Sequence, residues 1–112
     1  MVAMLTWHRD IEKTTNSLQV VRLAREYLAA LSPGDFARIP RNCLPGHVID
    51  ESDISRYSER LTQEYWRLRG TQADLGVLQE MWSFFMRASI QIARLNELRR
   101  FKRPLRLLRP SA

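Results

Sequence analysis

The stretch LGVLQEMWSFFMRASIQIARLNE, residues 75–97, decides the fold. Wound as a helix, it spreads Leu75, Leu78, Met81, Trp82, Phe85, Met86, Ala88, Ile92, Ala93 and Leu95 over an arc of about 200°. That is roughly twice the apolar stripe of an ordinary surface helix. Only Gln79, Glu80, Ser83, Arg87, Gln91, Arg94 and Glu97 form a polar ridge. Thr71, with Asp74 three residues on, reads as a capping box, and nothing interrupts the pattern before Pro104. About 30 residues then span ~45 Å, more than the ~35 Å diameter of a compact domain of this length. Such a helix is central, packed between two neighbours or shared with a second chain.

Two further helices precede it. Val20, Ala24, Tyr27 and Leu31 recur at helical spacing over 17–31, behind the cap-rich run Thr14-Thr15-Asn16-Ser17. Ser32-Pro33-Gly34 stops that helix and opens a short turn, with Asp35 three residues after Ser32 and with Phe36 and Ile39 expected under the core. An irregular connection with two prolines covers 40–49. The next helix starts at Asp50 or Ser52 and runs to Arg69, with Gly70 at its C-terminal cap position and Ile54, Tyr57, Leu61, Tyr65 and Leu68 as a narrow apolar stripe. In residues 1–13, Leu5, Trp7 and Ile11 fix no period, so a short helix, an extended arm and an extension of the next helix all remain open.

The expectation is an all-α protein: a three-helix core with the long helix central, completed to a helical bundle by self-association. The second chain of a homodimer would meet Met81, Trp82, Phe85, Ala88, Ile92 and Leu95, and Ser89 and Asn96 inside the arc could fix its register.

At 112 residues the chain supports one core, assigned to 1–102, followed by a basic tail, 103–112. Up to Glu97 there are 12 Lys+Arg against 12 Asp+Glu; the whole +6 comes from Arg99, Arg100, Lys102, Arg103, Arg106 and Arg109. The pI near 10.4 thus describes a neutral body with a cationic end. A single cysteine, Cys43, forms no intramolecular disulfide, and no apolar run approaches the roughly 20 residues that span a bilayer. A soluble, cytoplasmic protein without a membrane span is expected.

Several chemistries fall away on composition. Two histidines, His8 and His47, and one cysteine cannot build a closed Cys/His zinc site within one chain. The residues three before the histidines are Leu5 and Leu44, so the Glu-x-x-His pairs of carboxylate-bridged metal sites are missing. No Gly-rich phosphate loop is present. Cys43 and His47 are the one nucleophile–base pair close in sequence, without a third orienting group. Asp50, Glu51 and Asp53 cluster where carboxylates favour a helix N-terminus. No catalytic residue, metal or cofactor is assigned.

Two surfaces remain. Arg56, Arg60 and Arg67 share a ridge of the second helix, interrupted by Glu59 and Glu64 at ion-pair spacing. Residues 98–112 combine the six cations with Phe101, Leu105 and Leu108 on one side, and Pro104 argues against a continuous membrane-surface helix there. Trp66 lies off the apolar stripe, where it packs on residues 1–13 or anchors a partner. The expected function is a small binding, adaptor or regulatory protein acting through protein–protein contacts. The alternative is a nucleic-acid-binding regulator that uses the tail and the arginine ridge.

Overall fold

The computed structural model describes the backbone of residues 2–46, 48–72 and 74–108, and the side chains of 7–46, 48–72 and 74–99. Among these residues there are five α-helices and no strand: α1 (Val2–Lys13), α2 (Ser17–Ala29), α3 (Pro33–Arg38), α4 (Glu51–Leu68) and α5 (Gly76–Leu108), with a 3₁₀ turn at Arg41–Cys43. The fold is all-α, as the periodicity indicates.

Local chemistry sets most boundaries. Asn16 Oδ1 accepts from Leu18 N at 2.8 Å to start α2. In α3 the reciprocal box forms: Ser32 Oγ accepts from Asp35 N and Asp35 Oδ2 from Ser32 N, both at 3.1 Å, with Pro33 in the first turn. Asp53 Oδ2 accepts from Asp50 N at 3.0 Å at the start of α4, and Gly70, at φ 89°, ends it in the left-handed region.

The start of α5 differs from the expectation. Thr71 Oγ1 donates to Leu68 O at 2.7 Å and so closes α4. Asp74 Oδ1 accepts from Gly76 N at 3.0 Å, which sets the first turn of α5 several residues later. At its other end the helical backbone passes Pro104 and continues to Leu108. A proline removes one N–H from the ladder, and here the turns on either side carry the helix across it.

Helix α5 contacts α1, α2, α3 and α4. Its buried residues are Val77, Leu78, Met81, Phe84, Phe85, Ala88, Gln91 and Ile92. This arc is turned by roughly 60° from the expected one: Phe84 and Gln91 lie inside it, while Met86 (37% exposed) and Ala93 are outside. The cause is α1, which lies along the polar ridge. Glu12 pairs with Arg87 at 2.7 Å, Gln91 Nε2 donates to Thr14 O at 2.7 Å, and His8 Nε2 is 3.9 Å from Glu80 Oε2. Ile11 is fully buried between them, and His8 meets Phe84 edge-on.

Four helices, not three, therefore build the core, with α1 packed along α5. Met81, Phe85 and Ala88 have no exposed surface, Ile92 is 9% exposed, and Trp82 and Leu95 pack half-buried on the same core. All six residues thus pack within this chain, Trp82 and Leu95 keeping part of their surface exposed.

The centre is aromatic. Tyr27 stacks on Phe84 at 4.1 Å, and Phe85 meets Tyr27, Tyr57 and Phe84 edge-on. Such pairs add about 0.5–1.5 kcal/mol each beyond their burial. Phe36 does not join them: Ile39 takes the core position, and Phe36 remains 42% exposed.

Candidate functional site

The irregular segment between α3 and α4 is held from both sides. On the α2 side, Arg25 Nε donates to Ile49 O at 2.8 Å and Arg25 Nη2 to Asp50 Oδ1 at 3.0 Å. On the α4 side, the buried Tyr57 hydroxyl donates to Cys43 O. Arg60 Nη1 reaches Asn42 O at 3.3 Å, and Asn42 Nδ2 donates to Glu64 Oε1 at 2.7 Å. A stretch whose own regular bonding, among the described residues, is the short 3₁₀ turn is thus held by side chains of α2 and α4.

Two clefts open along that path. The first, about 430 Å³, is lined by Arg25, Leu28, Ala29, Phe36, Leu44, Pro45, Val48 and Ile49. Its walls are apolar, and Val48 is 65% exposed beside the 42% exposed Phe36. The second, about 240 Å³, carries Asp53, Arg56, Tyr57 and Arg60. Leu44, Pro45 and Ile49 line both. An apolar trough and a cationic shelf therefore share one wall.

The arginine ridge of α4 is divided by this arrangement. Arg56 and Arg60 stand at the second cleft. Arg67 binds Glu64 Oε2 through Nη2 at 2.7 Å and Nε at 3.1 Å, and these bonds hold the Glu64 carboxyl below the usual range, with Asn42 adding to the effect. Glu64 breaks the continuity of the ridge. Arg99 Nη2 lies 3.4 Å from Ser17 Oγ. Arg100, Lys102, Arg103 and Arg106 fall where only the helical backbone is described; Arg109 lies outside the described residues.

The nucleophile reading of Cys43 finds little support. Its side chain is fully buried, and burial pushes the thiol up to about 11, so it is protonated at neutral pH. His47 lies outside the described residues. Among the described residues no group of three or more His, Cys, Asp and Glu could hold a metal ion, and no helix is long and apolar enough to cross a membrane.

Trp66 stands at the surface of α4. It is 56% exposed, edge-on to Tyr65, with the Arg69 guanidinium 4.8 Å from its ring centroid. Its neighbour takes the inward place: Tyr65 stacks on Trp82 at 4.6 Å, and Trp82 Nε1 donates to Thr62 Oγ1 at 2.7 Å.

The residues of the apolar cleft escape a reading of periodicity because they come from α2, α3 and the connection, none of which shows an unusual pattern alone. One signal was present: Val48 and Phe36 are large apolar residues in short segments with little room to bury them. Comparison with protein-family models, with curated proteins and with solved structures finds no match.

Proposed function

We propose that this protein is a helical adaptor without catalytic activity that docks a partner protein's apolar segment carrying an adjacent acidic residue. The observation behind this reading is the double cleft: an apolar trough with Phe36 and Val48 exposed, continuous across Leu44, Pro45 and Ile49 with the Arg56–Arg60 shelf. Apolar side chains of the partner enter the trough, and its carboxylate meets the arginines, whose charge exceeds that of Asp53 alone. Because Arg25 and Tyr57 fix the connection, little ordering opposes binding.

Selection from a random peptide display library tests this. Enriched peptides are expected to pair an apolar anchor with a nearby Asp or Glu. Val48→Asp should weaken them roughly tenfold or more, the cost of losing one apolar contact, and Arg56→Gln should remove part of their salt dependence. Both positions are exposed, so the thermal transition should hold. Failure to enrich any peptide, or enrichment of peptides indifferent to Val48→Asp, overturns the reading.

A further inference from the structure

The long axis of the molecule is 63 Å, against 26 and 24 Å across. The longest of the other helices, α4 with 18 residues, spans only about 27 Å. The 33 residues of α5 span about 50 Å, so this helix accounts for the excess and extends past the bundle. Its last fully packed residue is Ile92; Glu97, Leu98 and Arg99 are exposed, Leu98 at 54%.

The pattern of α5 changes where the bundle ends. Through the core its apolar positions are Leu78, Met81, Phe85, Ala88, Ile92 and Leu95. Continued at the same spacing, that stripe falls on Arg99, Lys102 and Arg106. The apolar residues move instead to Leu98, Phe101, Leu105 and Leu108, at intervals of three, four and three, which share one face of a helix. Arg99, Arg100, Lys102, Arg103 and Arg106 occupy the neighbouring positions, and no acid follows Glu97. The helical backbone runs through Pro104, so the two sets stay in register over 98–108.

A second copy is a poor cover for this face, because it would bring the same cations against these. A nucleic acid would use the charge and leave the apolar row unexplained. We infer that the 98–108 part of α5 is an amphipathic anchor for anionic lipid surfaces, its apolar row 98/101/105/108 matched to the headgroup boundary and its run of cations to lipid phosphates and carboxylates. This site is independent of the clefts flanking residues 44–49, and holds whether or not they bind a peptide.

Vesicle flotation with the full chain tests it. Vesicles of phosphatidylcholine mixed with phosphatidylserine should carry the protein, phosphatidylcholine alone should not, and added salt should release it. Arg103→Gln with Arg106→Gln should weaken binding about 30-fold, each cation contributing about fivefold. Phe101→Ser with Leu105→Ser should abolish binding while charge and thermal transition stay unchanged, since the last buried residue of α5 among those described is Ile92. Absence of binding to phosphatidylserine vesicles at low salt overturns the inference. So does equal binding to duplex DNA and vesicles that ignores the serine substitutions, an outcome that assigns the segment to nucleic acid.

Discussion

Two buried tyrosines make a controlled experiment out of one hydroxyl. Tyr57 is 8% exposed, its ring meets Phe85 edge-on at 4.6 Å, and its hydroxyl donates to Cys43 O. Tyr57→Phe keeps the ring and its packing, so the change in stability is that of the hydrogen bond alone. Deleting the donor leaves a carbonyl beside a fully buried residue without this partner, which costs about 1–3 kcal/mol. For a domain of this size that lowers the melting temperature by about 4–8 °C per kcal/mol. Tyr27 is 1% exposed and its hydroxyl has no hydrogen-bond partner among the described residues, so Tyr27→Phe should change stability by less than about 0.5 kcal/mol or raise it. Urea denaturation with a common slope measures both. The Tyr57 bond also holds the 3₁₀ turn that leads into the clefts, so Tyr57→Phe should weaken peptide binding and Tyr27→Phe should not. The reasoning is refuted by a Tyr57→Phe variant as stable as the parent, or by a larger loss at Tyr27.

Alkali should unfold the protein in a defined window. Burial raises the Tyr27 and Tyr57 phenols above their ordinary 10.0 and the Cys43 thiol from 9.0 to about 11. The unfolded chain therefore ionises first, and stability that is complete below about pH 9 falls as pH rises, by up to about 1.4 kcal/mol per pH unit for each group; Tyr27→Phe should make that fall shallower. Gly70→Ala places a side chain at φ 89° with nothing within 4 Å to clash, so circular dichroism melts should register only the backbone cost, about 1–2 kcal/mol. Phe85→Ala should cost about 3–5 kcal/mol, and the loss should be the same at low and high protein concentration, because Phe85 is enclosed by its own chain. A concentration-dependent midpoint would return Phe85 to an interface.

The helices α2, α3 and α4 are legible because caps and periodicity agree there: Asn16, the Ser32–Asp35 box and Gly70 all act where they are expected. The start of α5 misleads because Thr71-x-x-Asp74 has the pattern of a capping box, while Thr71 finds an acceptor behind it, at Leu68. Helix α1 is obscured for a different reason. It docks through Glu12, Thr14 and His8 on a ridge whose Glu80, Arg87 and Gln91 read as solvent-facing, with Phe84 hidden in their midst. Charge pairing between elements about 75 residues apart leaves no periodic trace. The clefts were illegible on the same grounds, since their walls meet only once α2, α3 and α4 are placed.

That α5 touches every other helix also fixes an order of events at the ribosome. His8 and Tyr27 emerge long before Phe84, whose ring both of them meet. At about 5–20 residues per second, roughly 3 to 15 seconds separate their synthesis. Helices form and melt in about a microsecond, so α1, α2 and α4 sample their shapes many times over that interval without a scaffold to close upon. During translation the growing chain is a row of amphipathic segments with apolar faces open to chaperones and to neighbouring nascent chains. Folding of these helices then waits on α5.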